Sequence, residues 1–198
     1  MKKTWIKMMT VAALALGLST AYADPAPAFT LPDGHGNEHS LSDFEGKIVV
    51  LEWVNHGCPF VVKFYQGGHM QALQAEMAEK GVVWLSICSS APGLQGWMSA
   101  EDQLRTIEEK EINAHAVLID EDGTVGRAYG ARTTPHMFVI DTEGNIAYQG
   151  AIDSVRSTNP ADIPEARNYV REAVAALLAG EPVPVAQTQP YGCSVKYN

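Results

Sequence analysis

The stretch Leu51–Phe64, LEWVNHGCPFVVKF, decides how the rest of the chain is read. Ile48–Val54 is aliphatic and β-branched enough for a buried strand, and Phe60, Val61, Phe64 and Tyr65 then recur at i, i+1, i+4 and i+5, the spacing of one helix face. Cys58 therefore sits at or just before the first turn of a helix. Unpaired main-chain N–H groups and the positive end of the helix dipole favour a thiolate there, which makes the cysteine reactive. Pro59 suits the same place, because a first-turn residue has no N–H bond to lose and its φ is already helical. The competing reading is a cysteine that only fills the core. Gly57 and Pro59 on either side argue instead for an exposed turn.

The 198 residues, 46% of them hydrophobic, suffice for one domain with a proper core. Residues 1–23 read as a signal peptide: Lys2 and Lys3 precede the apolar run Met8–Leu18, and Ala21-Tyr22-Ala23 is a small-x-small cleavage site. The run is too short to span a bilayer, so the expectation is a periplasmic product without stable membrane insertion after cleavage. Removing those residues takes away three of the 14 basic residues and none of the 23 acids, so the net charge of −9 becomes 11 − 23 = −12. That balance argues against nucleic acid and anionic membranes as partners. Cys58, Cys88 and Cys193 all lie beyond the cleavage site, and in an oxidising compartment three cysteines allow one internal bridge and one spare thiol.

Along the chain, Phe29–Asp33 and Leu41–Lys47 read as short extended pieces and turns that lead into the strand at 48–54. The helix after Cys58 runs to about Glu79, with an interruption at Gly67-Gly68. Val82–Cys88 is a second apolar strand, and strand–helix–strand order implies parallel neighbours joined by a right-handed crossover. Cys88 then ends its strand on the same rim as Cys58, unless it is simply a small buried hydrophobe. Ser99 caps a helix to Glu111, Ala116–Asp120 is a strand, and Gly123–Gly130 a short helix. Met137–Asp141 and Asn145–Gln149 form a hairpin. Pro160–Leu178 is the last helix, with an apolar stripe from Ile163 and Ala166 to Val170 and Val174. Residues 181–198, EPVPVAQTQPYGCSVKYN, form a Pro-rich extended arm, laid over the domain or hanging from it.

The order of elements, F-T-L-P-D at Phe29–Asp33, L-S-D-F-E-G-K-I-V-V-L at Leu41–Leu51 and T-T-P-H-M-F-V-I-D at Thr133–Asp141 together resemble the AhpC/TSA and TlpA-like redoxins over residues 27 to 180. The resemblance implies an α/β thioredoxin-like fold: a central mixed sheet flanked by helices, with an N-terminal extension and the C-terminal arm. It implies that Pro135 is a cis-proline facing Cys58, and that Thr134 presents backbone to a bound substrate chain. Glu52 falls where thioredoxins carry a buried acid able to shuttle the thiol's proton; its alternative is an edge-exposed or ion-paired glutamate. The chain departs from the dithiol pattern, since Cys58-Pro59-Phe60-Val61 lacks the second cysteine of Cys-x-x-Cys. It departs equally from the Thr-x-x-Cys of peroxiredoxins. It is most similar to the peroxiredoxin-like subgroup whose single cysteine aligns with the first thioredoxin cysteine.

A thiolate at Cys58 can attack a disulfide or a peroxide, and a second thiol must then resolve the product. Cys193, beside Gly192 on the arm, is the first candidate and Cys88 the second. A Cys58–Cys193 bridge could also be purely structural, stabilising by about 4 to 5 kcal/mol in the chain-entropy model. The expected partners are a thiol or disulfide protein or a peroxide, with an electron donor the sequence does not identify and no cofactor. Two other classes stay open: a copper-binding protein using Cys58, His56 and His136, whose thiolate and imidazole suit Cu(I), and a non-catalytic binding module.

Overall fold

Five apolar segments pair into one sheet. In chain order they are β3 (Val49–Trp53), β4 (Val83–Cys88), β5 (Ala116–Ile119), β7 (His136–Ile140) and β8 (Ile146–Gly150), arranged β5-β4-β3-β7-β8. The structure, a computed structural model, describes residues 24–198, so the expected signal segment lies outside it. β3, β4 and β5 run parallel, as the intervening helices require, and β7 and β8 are antiparallel. Two short strands, β1 (Thr30–Pro32) and β2 (Glu38–Ser40), form a hairpin before β3. This is the mixed, helix-flanked sheet of a thioredoxin-like fold.

Alternation along β3 divides the core. Leu51 and Trp53 join Phe29, Tyr129 and Phe138 on one face, whereas Val50 and Val54 join Cys58, Phe64, Leu73, Met137 and Val174 on the other. The second face is covered by α1 (Pro59–Tyr65), α2 (His69–Glu79) and α5 (Tyr169–Leu178). Gly68, at φ +73°, breaks α1 from α2 where the sequence anticipates it. Ser99 Oγ accepts from the Asp102 amide at 3.1 Å to start α3 (Ala100–Glu109), and α4 (Thr124–Ala128) follows β5.

The last helix differs from its sequence reading. Pro160–Asp162 makes a 3-10 turn, and α5 begins only at Tyr169, capped by Asn168 Oδ1 on the Arg171 amide at 2.9 Å. Pro164 is the reason: it has no N–H to give to an intrahelical hydrogen bond, so the 3-10 turn ending at Ile163 is not continued into α5. Ile163 and Ala166 thus lie ahead of the helix rather than on its stripe.

The arm is laid down, and it is well anchored. Residues 186–188 run beside the edge of β8, with Gln149 N–H donating to Ala186 O and Thr188 N–H to Gln149 O, both at 3.0 Å. Cys193–Ser194 forms β9, antiparallel to β6 (Thr133–Thr134). Lys196 O accepts from the Ala91 amide at 2.9 Å, and the Tyr197 hydroxyl donates to Ala131 O at 2.8 Å.

Candidate functional site

The turn that presents Cys58 is shaped by Asn55. Its Oδ1 accepts from the Gly57 amide at 2.9 Å and its carbonyl from the Cys58 amide at 2.9 Å, while Cys58 itself caps α1 with Pro59 as first helical residue. The 89–99 loop braces this turn, with Asn55 Nδ2 donating to Gln95 O at 3.2 Å and Gln95 Nε2 to Gly57 O at 3.1 Å. Cys58 is fully buried, contrary to the exposed turn expected from Gly57 and Pro59. The cover is the chain's own arm.

Cys58 Sγ donates to Thr134 O at 3.1 Å, and the Cys193 amide donates to Cys58 Sγ at 3.4 Å. The Thr134–Pro135 peptide is cis, and Thr134 is in register with Cys193. The main-chain edge that the resemblance assigns to a substrate chain therefore carries residues of the protein's own C-terminal arm. Gly192 permits that approach: its φ is +140°, and a Cβ there would lie 2.0 Å from Thr134 O. All three cysteines are free thiols in this structure.

The two facing thiols are driven apart in acidity. Burial pushes Cys58 up, but the hydrogen bonds from the Cys193 side chain and main chain, with contacts to Thr134 and Val61, outweigh it and leave Cys58 below the ordinary thiol value. Cys193 is pushed up to about 11 by desolvation and then by its hydrogen bond to, and the charge of, Cys58. Of the two facing sulfurs, Cys58 is therefore the one that gives up its proton first. The helix dipole invoked from the sequence acts through only seven residues of α1; the named hydrogen bonds carry the shift.

Cys88 does not join this pair. Its thiol donates to Gly96 O at 3.2 Å, and burial raises its pKa. Glu52 is fully buried, as its place in an apolar strand suggests, yet no hydrogen bond joins it to Cys58. It accepts instead from Tyr65 OH, Trp84 Nε1 at 3.0 Å, Ser86 Oγ at 2.9 Å and Gln74 Nε2 at 3.4 Å. Desolvation exceeds what these donors return, so its pKa is raised.

The structure does not bring Cys58, His56 and His136 together. His136 pairs with Trp53 and packs on Phe138, on the opposite face of the sheet from Cys58. Burial, reinforced by the positive charge of Arg132, lowers its pKa to about 4. His56 leans on the Tyr65 ring at 4.8 Å and is lowered to about 4 by burial and by Lys110. Among the described residues no three of His, Cys, Asp and Glu gather as metal ligands would.

The sequence reading passed over one constellation. Lys63 Nζ lies 3.1 Å from Asp153 Oδ2, with side chains only 0% and 2% exposed, and the Tyr191 hydroxyl donates to Asp153 Oδ1. The signal was a lysine inside the apolar helix FVVKFY, as conspicuous there as Glu52 is in its strand.

The chain is 26% identical over 165 residues to peroxiredoxin Bcp of Escherichia coli, spanning 75% of this chain and 94% of that one. It is 27% identical over 128 residues to the thiol-disulfide oxidoreductase ResA of Geobacillus thermodenitrificans, spanning 65% and 68%. An uncharacterized conserved protein from Geobacillus kaustophilus superposes with a TM-score of 0.76 at 29% identity, covering 89% of this chain and 92% of the other. The family model for AhpC/TSA matches residues 22–149, the span that holds the Cys58 turn, Glu52 and the cis-proline, and the chain belongs to the AhpC/TSA family.

Proposed function

We propose that the protein is a thiol-based oxidoreductase in which Cys58 is the nucleophile and Cys193 resolves it. The observation that carries this reading is the Cys193 amide at 3.4 Å from Cys58 Sγ, with the arm paired to Thr134 beside the cis-proline. In the peroxide form, Cys58 thiolate attacks one oxygen, the O–O bond breaks, and the departing alkoxide or hydroxide takes from solvent the equivalent of the proton Cys58 had released, leaving a sulfenic acid at Cys58. Cys193 then attacks that sulfur: the S–S bond forms, the S–O bond breaks, and water leaves. In the disulfide form, Cys58 opens a disulfide and Cys193 displaces the bound half as a thiol. Both end in the same Cys58–Cys193 bridge, which a two-electron thiol reductant returns to the dithiol. Relatives named as a peroxiredoxin and as a thiol-disulfide oxidoreductase support both substrate classes.

The cellular place proposed is the periplasm. Support comes from the residue pattern of 1–23 and from a mechanism that uses an exchangeable disulfide. Among the described residues no helix is long and apolar enough to cross a membrane.

The test is to treat reduced protein with hydrogen peroxide, trap thiols and map the bridges by mass spectrometry. A Cys58–Cys193 peptide is expected, with Cys193→Ser stopping at an oxidised Cys58. Bridges that never include Cys58, together with unchanged peroxide and disulfide turnover in Cys58→Ser, would overturn the reading.

A further inference from the structure

The buried trio of Lys63, Asp153 and Tyr191 touches neither cysteine, yet it joins the elements that carry them. Lys63 is on α1, the helix that Cys58 caps, and its ammonium donates to Asp153 Oδ2 and to Val155 O, each at 3.1 Å. Asp153 Oδ1 accepts from the Val155 amide at 3.0 Å and from the Tyr191 hydroxyl. The Tyr191 ring meets Phe60, again on α1, at 5.7 Å. Two residues further along the arm is Cys193.

A buried ion pair is a poor source of stability, because desolvating both charges consumes most of the Coulombic gain and apolar replacements often fold as well or better. It is directional, however, and direction is what the short β9, taken by itself, supplies least. β9 is only two residues long and has no alternating pattern to fix its pairing with β6. A slip of one residue along a strand turns every side chain to the other face, and would set Ser194 rather than Cys193 opposite Thr134. A hydroxyl held on a carboxylate that is itself held by an ammonium allows one register only.

We propose that Lys63, Asp153 and Tyr191 are positioning residues that fix the register of the arm so that Cys193 meets Cys58. The proposal rests on the Cys58–Cys193 pairing above. It assigns the trio to the speed of disulfide closure rather than to the stability of the fold.

The test uses glutathione disulfide as the oxidant, in a Cys88→Ser background so that only the two relevant thiols react. One protein thiolate opens glutathione disulfide to a mixed disulfide and releases a glutathione thiolate. The second protein thiol then displaces the other glutathione, so two electrons and two protons pass from the protein to two glutathiones. Acid quenching and mass spectrometry give the lifetime of the mixed disulfide. Tyr191→Phe keeps the ring on Phe60 and removes only the hydroxyl; closure is expected to slow about tenfold, the equivalent of one hydrogen bond to a charged group. The double variant Lys63→Met/Asp153→Leu is expected to close still more slowly while its melting temperature stays at or above the parent's. Closure at the parent rate in Tyr191→Phe overturns the proposal, whether or not the double variant folds. A parent protein that forms the mixed disulfide and never closes it overturns the Cys58–Cys193 pairing itself, a distinguishable failure.

Discussion

Glu52 and Asp153 are both buried carboxylates, and they are satisfied in opposite ways. Glu52 lies on β3 and is surrounded by neutral donors from β4, α1 and α2, with no cation among its hydrogen-bond partners. Asp153, after β8, faces an ammonium from α1 and a phenol from the arm. The first set belongs wholly to the sheet and the helices that cover it, whereas the second ties those elements to the last part of the chain. Burial without a cation favours a protonated carboxyl, so Glu52 is raised. A carboxylate that spans separately placed elements serves register, and one enclosed among fixed elements serves the packing of the sheet.

The comparison is broken most forcefully at Lys63. Lys63→Ala leaves Asp153 buried without its cation and is expected to cost about 3 to 5 kcal/mol, read as a fall in urea midpoint. A loss under about 1 kcal/mol would mean that water already reaches the pair. Glu52→Gln sharpens the contrast through pH. Because Glu52 titrates above its unfolded value, the folded state keeps a proton that the unfolded chain has released. The stabilisation is therefore present below about pH 4.5 and fades as pH rises through the folded value. The parent should lose stability relative to Glu52→Gln over that rise, at up to about 1.4 kcal/mol per pH unit, and parallel curves would refute the assignment. The smallest expected effect is at Ser86→Ala, which removes one of several donors to Glu52. It should cost about 1 kcal/mol by urea denaturation and push Glu52 further up, since the remaining donors stay in place.

Much of this is legible from residue patterns alone. The apolar runs at β3, β4 and β7, the Gly68 break, the Ser99 cap and the Thr-Pro before β7 are local signals, and each appears in the structure where the pattern puts it. Glu52 was half readable: an acid in an aliphatic strand stands out, but the pattern leaves a buried, hydrogen-bonded carboxyl and an edge-exposed or ion-paired one equally open, and only the donors from β4, α1 and α2 decide it. The start of α5 was misread because an apolar stripe was weighed above Pro164. The arm was harder for a different reason. β9 exists only because β6 lies beside it, and Tyr191, Asp153 and Lys63 are separated by 38 and 90 residues, so no local periodicity encodes their meeting. A lysine in an apolar helix was the one available clue.

The arm also has a consequence for the order in which the protein folds. Cys193 follows Cys58 by 135 residues, so the whole sheet can pair before the segment that covers the nucleophile docks on it. Until then the Thr134 edge and the Cys58 thiol stand open, and any thiol or disulfide nearby has access to them. Docking of residues 186–198 thus closes a window of unprotected reactivity and supplies the nucleophile with a partner of its own.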